Sequence, residues 1–170
     1  MEKKEYYLPK MPLPSKEEDE KYMLLAMEEA RLAAKEDEVP VGAVLVREGR
    51  IIATARNSRE RTKCATHHAE ILAIEEGCRA LGGWRLTGAT LYVTMEPCPM
   101  CAGAIINARI PRVVYGARDI RFGAMGSLIN LTDVPLNHKP QVTPDVLGDE
   151  NREILSSYFK RKRQKSAATE

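Results

Sequence analysis

Two short stretches that are rich in metal-ligating side chains constrain this chain more than any other feature. CATHHAE (64–70) holds one thiol, two imidazoles and one carboxylate, and PCPMC (97–101) holds two thiols. Each stretch opens a predicted helix, and a predicted buried strand, ATLYVTM (89–95), lies between them. If both stretches act on one ion, the fold must bring two helix N-termini to the same point.

Predicted helices and strands alternate along the rest of the chain. Ser15 and Glu18 match a capping box, which places the start of the first helix at Lys16. The predicted elements are, in order, a helix over 16–35, strands over 41–46 and 50–55, a helix from about Thr66 to Ala80, a strand over 89–95, a helix from Pro97 to about Arg109, a strand over 112–117, a short strand or edge within KPQVTP (139–144), and an amphipathic helix over 149–163. This alternation favours an α/β sandwich with helices on both faces of one sheet.

Length and composition favour one globular domain. The chain has 170 residues, of which 29% are charged and 44% hydrophobic, a balance typical of a globular protein with a real core. We divide it into an extended, proline-containing leader (1–15), one folded domain (16–165) and a short flexible tail (166–170). No apolar run approaches the ~20 residues that cross a bilayer, and the N-terminus lacks the apolar core of a signal peptide. We therefore expect a cytoplasmic protein without a membrane partner, whose four cysteines are thiols or metal ligands.

Cys98 and Cys101 form a C-x-x-C pair at the start of a predicted helix. Positions three apart share a helix face, and the helix dipole favours thiolates in the first turn. The pair alone fits a structural zinc site with four thiolates, a redox pair or part of a catalytic metal site. A four-thiolate site would need Cys64 and Cys78, but Cys78 has the position of a helix-core residue. A thioredoxin-like redox pair would not normally follow the Glu-Pro sequence that precedes Cys98.

His68 and Glu70 stand two positions apart, about 200° around a helix axis. They therefore converge only on a target beyond the helix N-terminus, which is also where the two thiols lie. One imidazole and two thiolates give three protein ligands, and three ligands plus a water are typical of a catalytic Zn²⁺ site. Glu70 is then predicted to carry protons to and from that water. Without the two cysteines, Glu70 would be interpreted as a carboxylate on the helix surface. His67 stays open as an alternative ligand, because it shares a helix face with Glu70.

The order H-x-E (HAE, 68–70) followed by P-C-x-x-C (PCPMC, 97–101) is the signature of zinc deaminases with a cytidine deaminase-like fold. From about Glu20 to Arg163, the chain further resembles the bacterial tRNA-specific adenosine deaminases. The motifs that carry this resemblance are EVPVGAVLV (38–46), Asn57 eleven residues before His68, HAEILAI, ATLYVTMEPCPMCAGAIINARI, RVVYGARD, FGAMGSL (122–128) and LNHKPQV (136–142).

This resemblance implies a three-layer α/β/α sandwich with a central mixed five-stranded sheet and one Zn²⁺ ion per subunit. It implies hydrolytic conversion of adenosine to inosine at the wobble position, the first anticodon base, by a homodimer that binds the tRNA anticodon stem-loop. By the same resemblance, His68, Cys98 and Cys101 would hold the ion, and Glu70 would be the acid/base. Asn57 and the backbone of Ala69 would hold the adenine edge. Asp119 would lie near the substrate backbone, and Phe159 would pack against the RNA.

Two other functions stay open at this point. The second proline of PCPMC also occurs in guanine deaminases of the same fold, so deamination of guanine, or of another free base or nucleoside, is one alternative. A non-catalytic, zinc-stabilised RNA-binding module is the other. The basic run KRKRQK (160–165) fits either a phosphate contact or a solvated helix end whose cations complement the helix dipole.

Overall fold

The computed structural model describes residues 13–167. Within that range the chain forms five helices, five strands and one 3₁₀ turn at Leu131–Asp133. In chain order the elements are α1 (Lys16–Lys35), β1 (Gly42–Arg47), β2 (Arg50–Arg56), α2 (Arg59–Thr62), α3 (Ala69–Leu81), β3 (Ala89–Met95), α4 (Pro99–Asn107), β4 (Arg112–Ala117), β5 (Gln141–Thr143) and α5 (Gly148–Ala167).

The strands form one mixed sheet in the order β2-β1-β3-β4-β5. β1 pairs antiparallel with β2 and with β3, whereas β3, β4 and β5 run parallel to one another. β1 and β2 form a hairpin through Glu48 and Gly49, which have φ angles of 52° and 70°, as a tight hairpin turn of this kind requires. α4 provides the crossover connection that the parallel pair β3 and β4 needs.

Alternate side chains of the strands supply two separate cores, one on each face of the sheet. Ala43 and Leu45 of β1 face the core that contains residues of α3 and α4. Val44 and Val46 of the same strand face the other core, which contains residues of α1 and is joined by Ile154 of α5. The predicted three-layer α/β/α sandwich with a mixed five-stranded sheet is thereby confirmed.

α1 lies unusually close to the start of β1 at Gly42. A Cβ atom at this position would stand 2.0 Å from the carbonyl oxygen of Ala26 and 2.6 Å from the amide nitrogen of Ala30. Both atoms belong to the main chain of α1 and cannot move aside independently, so a glycine is required here. The close contact brings the buried face of α1 down onto the sheet.

A buried ion pair joins the first turn of α1 to the central strands. Arg112 of β4 donates two hydrogen bonds of 2.7 Å to the carboxylate of Asp19, and the hydroxyl of Tyr92 donates a third of 3.0 Å. Arg112 also donates to the hydroxyl oxygen of Thr143 on β5, at 3.0 Å. Asp19 and Arg112 expose only 5% and 3% of their surfaces. A buried charge is costly unless it is paired, so neither side chain can leave the other without a loss of stability. The pair therefore fixes the position of α1 over the sheet.

The helices that carry the ligand motifs begin later than the sequence suggests. α3 begins at Ala69 rather than near Thr66, because His68 has an extended backbone and occupies the N-cap position. α4 begins at Pro99 rather than at Pro97, with Cys98 as its N-cap. Proline suits the first helical position because its missing N–H is not needed there, and PCPMC offers two candidates for that position.

The predicted leader (1–15) lies outside the described residues except for its last three. Among these, Ser15 caps α1 by accepting a hydrogen bond of 3.1 Å from the amide of Glu18, as the capping box predicts. At the other end, α5 includes the first two residues of the predicted tail (166–170), and residues 168–170 are not described. Within residues 13–167, no helix is both long and apolar enough to span a membrane.

The buried ion pair gives a stability prediction. Replacing Asp19 with Ala leaves the Arg112 guanidinium buried without its counter-charge, so the free energy of unfolding should fall by about 3–5 kcal/mol. Urea denaturation of the Asp19→Ala variant measures this change. The matched control is Glu76→Ala, which breaks the exposed pair between Glu76 and Arg79 (2.9 Å) and should cost less than about 1 kcal/mol. Equal losses in the two variants would contradict the role given to the buried pair.

Candidate active site

A cavity of about 710 Å³ opens where the N-termini of α3 and α4 meet the carboxyl ends of β3 and β4. Its lining includes His68, Glu70 and Cys98. A larger groove, of about 910 Å³, runs between α1 and α5, but no histidine or cysteine lines it. The smaller cavity is therefore the candidate active site, because it contains side chains of both ligand motifs that the sequence singles out.

His68 and Cys98, which line this cavity, come together with the buried Cys101. Their ligand atoms all lie within 4.8 Å of one another, and among the described residues they are the one such group of His, Cys, Asp and Glu side chains. Nδ1 of His68 lies 3.7 Å from Sγ of Cys98 and 3.5 Å from Sγ of Cys101. Two helix N-termini thus converge as the sequence predicts, and the group has the composition and spacing to hold a metal ion.

The protonation of the two thiols is set by their mutual contact. A hydrogen bond from the thiol of Cys101 and, to a smaller extent, the neighbouring His68 together lower the pKa of Cys98 to about 4. The same contact, together with burial, raises the pKa of Cys101. Cys98 is therefore a thiolate at neutral pH, which is the form that binds metals. The hydrogen bond with Cys98 in turn raises the pKa of His68.

Glu70 is buried beside this group, with 4% of its surface exposed. Its Oε2 atom finds no hydrogen-bond partner among the described residues, although carboxylate oxygens at such depth are normally bonded. Burial raises the pKa of Glu70 to about 7. A carboxyl group that lines a cavity, with a pKa near neutrality and one oxygen without a partner among the described residues, is suited to accept and donate protons.

The other candidate ligands of the first stretch lie away from the group. Nδ1 of His67 is 2.9 Å from the hydroxyl oxygen of Thr62, and Sγ of Cys64 is 3.3 Å from that of Thr66. Cys78 contacts the carbonyl oxygen of Trp84 at the far end of α3. The four-thiolate site is therefore not formed, and the structure brings His68 rather than His67 to the two thiols.

Asn57 and Ala69 line the same cavity as Glu70. The side-chain amide of Asn57 donates a 3.3 Å hydrogen bond to Glu38, a carboxylate that is fully buried and also accepts from the amides of Glu60 and Arg61 at 3.1 and 2.6 Å. Because a carboxylate only accepts hydrogen bonds, it fixes which end of the Asn57 amide faces it. The amide of Ala69 belongs to the first turn of α3, where backbone N–H groups have no partner within the helix.

Comparison with known proteins agrees with this site. The profile of the MafB19-like deaminases matches residues 17–163. The chain belongs to this deaminase family. The tRNA-specific adenosine deaminase of Bacillus subtilis (strain 168) is 50% identical to it over 152 residues, which cover 89% of this chain and 94% of that relative. The predicted resemblance to the tRNA-specific adenosine deaminases is thereby confirmed.

Two solved structures show how the deaminase fold is shared. One, from work on A-to-I editing by tRNA:A34 deaminases at the wobble position of transfer RNA, has a TM-score of 0.78 and 48% identity, covering 79% of this chain and 99% of that one. The other, a guanine deaminase from Nitrosomonas europaea, has a TM-score of 0.72 and 26% identity, covering 82% of this chain and 83% of that one. The cytidine deaminase-like fold is confirmed, and the guanine deaminase is the more distant relative.

The two remaining residues that the sequence singled out occupy different places in the deaminase. Asp119 lines the active-site cavity, together with Arg121 and Phe122 of the loop after β4. Phe159 of α5 does not line it, but lies in a small adjoining cavity with Arg121 and Arg163. Because Arg121 lines both cavities, Phe159 stands next to the mouth of the site rather than inside it.

Sequence reasoning assigned no role to two buried carboxylates of the deaminase site, Glu38 and Glu96. Glu38 stands in the motif EVPVG and holds Asn57, and Glu96 immediately precedes the PCPMC motif and lines the cavity. In the sequence, each of the two is a charged residue beside an apolar strand: Glu38 precedes VPVGAVLV, and Glu96 follows ATLYVTM. That pattern shows that such a residue is unusual, but not what it binds.

The ligand group predicts how substitutions change the metal content of the deaminase. His68→Ala and Cys98→Ala each remove one of three ligands and should lower bound metal from about one ion per chain to below about a tenth of that. Elemental analysis of the purified, dialysed variants measures the metal-to-protein ratio.

His67→Ala is the matched control, because it removes the neighbouring imidazole without touching the ligand group. It should keep the full metal content. If the His68→Ala and His67→Ala variants both retained the metal, or if only His67→Ala lost it, the ligand assignment would be wrong.

Proposed function

We propose that this deaminase converts adenosine to inosine at the first anticodon position of a tRNA, with release of ammonia. The observation that carries the proposal is that the group of His68, Cys98 and Cys101 lies beside the buried carboxylate of Glu70, whose Oε2 atom has no partner among the described residues. The similarity over most of the chain to deaminases named for tRNA supports the choice of substrate.

The resident metal proposed here is one zinc ion per chain. Bond lengths of about 2.3 Å to sulfur and 2.0 Å to nitrogen place the ligand atoms of a tetrahedral zinc ion about 3.5–3.8 Å apart. The distances from Nδ1 of His68 to the two sulfur atoms, 3.7 and 3.5 Å, match that spacing. Two thiolates and one imidazole are ligands that suit zinc, and three protein ligands leave a fourth position for water. A zinc ion held there would supply an acidified water molecule as the nucleophile.

Glu70 moves the protons of the reaction. Its carboxylate takes a proton from the attacking water and gives it to N1 of adenine, while the oxygen of that water bonds to C6. It then takes the proton of the new hydroxyl group and gives it to the leaving amine, so that ammonia departs and C6 becomes a carbonyl carbon. A pKa near 7 lets one carboxyl group serve in both directions at neutral pH.

The base is held by Asn57 and by the backbone N–H of Ala69, which line the cavity beside Glu70. Glu38 fixes the orientation of the Asn57 side-chain amide, so this amide is already ordered before the base enters. A base reaches such a cavity only after it has left its stack, which costs least in a single-stranded loop. The anticodon loop is a substrate of that kind.

The flanking RNA would contact the surface around the mouth of the cavity. Phe122 and Phe159 expose 64% and 41% of their surfaces, which makes them available for stacking against unpaired bases. Arg121 and Arg163 lie beside Phe159 and can neutralise phosphates. Arg163 belongs to the basic run at the end of α5, so the phosphate-contact interpretation of KRKRQK is the one that the proposal adopts.

We also propose that the deaminase works as a homodimer in the cytoplasm. Four large apolar side chains are exposed within nine residues of the segment after the active-site loop: Leu128, Ile129, Val134 and Leu136, with 56%, 46%, 41% and 43% of their surfaces exposed. Apolar patches of this kind on a small protein commonly mark association surfaces. A second copy of the chain is the partner that the resemblance to the tRNA deaminases implies.

Inosine formation tests the proposed function directly. The zinc-loaded protein should convert the first anticodon adenosine of an unmodified tRNA transcript to inosine, which mass spectrometry of the nucleoside digest detects. Glu70→Gln keeps the shape of the side chain but cannot carry protons, so the rate should fall at least about a hundredfold while zinc content and RNA binding persist.

The competing functions give different results in the same assay. Turnover of free guanine by the wild-type protein, at a rate that does not depend on RNA and without inosine formation, would replace the proposal by the guanine deaminase reading. RNA binding by the zinc-loaded protein without either product would show a non-catalytic binding module.

A further inference from the structure

The loop after β4 is held by one buried carboxylate, that of Glu96. Glu96 follows β3 directly and exposes 3% of its surface. Its Oε2 atom accepts a hydrogen bond of 3.1 Å from the amide of Asp119, and its Oε1 atom accepts bonds of 3.1 and 2.9 Å from the amides of Met125 and Ser127. Both oxygens are therefore used, and all three donors belong to the main chain of the loop 118–127.

The loop is shaped around this carboxyl group. A Cβ atom on Gly123 would lie 2.4 Å from Cδ of Glu96 and 2.5 Å from the carbonyl oxygen of Asp119, so only a glycine lets the loop close over the carboxylate. At the start of the loop, Oδ1 of Asp119 accepts from the amides of Arg121 and Phe122, at 2.9 and 3.1 Å. The amide of Gly123 donates to the carbonyl oxygen of Asp119 at 2.8 Å.

The same loop forms one wall of the active-site cavity. Asp119, Arg121 and Phe122 line the cavity, and so does Glu96 itself. Two hydrogen bonds donated to Glu96 hold the far end of the loop, and one holds its start, so the segment that presents these side chains is fixed at both ends. Without the carboxylate, three N–H groups, one buried and two partly buried, would lose their acceptor, which is costly enough to change the loop conformation.

We propose that Glu96 is a positioning residue that holds the loop 118–127 in its substrate-binding conformation. It takes no part in the chemical step, because its two oxygens are occupied by main-chain donors, whereas Glu70 has a free oxygen. The proposal rests on the function proposed above, since the loop is taken to contact the RNA around the reacting base. It assigns the recognition of that RNA in part to a residue that never touches it.

Glu96→Gln is the substitution that tests this role. An amide has one accepting oxygen and one donating nitrogen, so in either orientation at least one loop N–H faces a donor instead of an acceptor. We expect KM for the tRNA to rise about tenfold and kcat to fall less than about threefold, because binding groups move while Glu70 and the ligand group stay in place. Zinc content should remain that of the wild-type protein.

The matched control is Glu28→Gln, which makes the same change in net charge on an exposed face of α1 and should leave KM unchanged. A second variant, Gly123→Ala, disturbs the same contact from the loop side and should raise KM in the same way. It keeps the test decisive if Glu96→Gln does not fold. A fall in kcat of a hundredfold with KM unchanged, or loss of zinc from either variant, would overturn the proposal.

Hydrogen exchange gives a readout that does not depend on activity. In Glu96→Gln the amides of 118–128 should exchange at least about tenfold faster than in the wild-type protein, while those of α3 and α4 keep their protection. Unchanged exchange in the loop would overturn the positioning role even if the enzyme proved active. Absence of inosine with the wild-type protein, together with faster loop exchange in the variant, would instead reject the proposed function and leave the loop role standing.

Discussion

The active site depends on the convergence of two helix N-termini at one point. His68 caps α3 and Cys98 caps α4, so both side chains project beyond their helices into the same space, and Cys101 reaches it from the first turn of α4. The sheet makes this convergence possible, because α4 must cross over between two adjacent parallel strands and α3 packs on the same face. The ion pair of Asp19 and Arg112 holds the opposite layer on that sheet.

Three buried glutamates around the cavity differ in the number of donors that they meet, and this difference separates their roles. Glu38 accepts three hydrogen bonds, one of them from Asn57, and Glu96 accepts three from the loop after β4. Glu70 keeps one oxygen without a partner among the described residues, and burial raises its pKa to about 7. A buried carboxylate with all its donors in place stabilises structure, whereas one without them is available for chemistry.

The fold and the centre of the site could be predicted from the sequence, but their supports could not. The pattern ATLYVTM predicts the strand over 89–95 as observed, because a strand that is buried on both faces is nearly apolar at every position. The starts of α3 and α4 were placed early, because Thr66 and Pro97 are as compatible with a helix start as the residues that in fact begin the helices. The roles of Glu38 and Glu96 do not follow from the sequence, because five of the six hydrogen bonds that they accept come from main-chain amides 22 to 31 residues away, which no side-chain pattern reveals.

In the proposed reaction, water activated beside His68, Cys98, Cys101 and Glu70 replaces the amine of an adenosine held in this cavity. Deamination in ¹⁸O-labelled water, followed by mass spectrometry of the nucleosides, shows whether the new oxygen comes from water. Every inosine formed at the first anticodon position should carry one ¹⁸O atom, and the Glu70→Gln variant should form almost no inosine. Inosine without the label, or equal labelled inosine from wild-type and Glu70→Gln proteins, would contradict it.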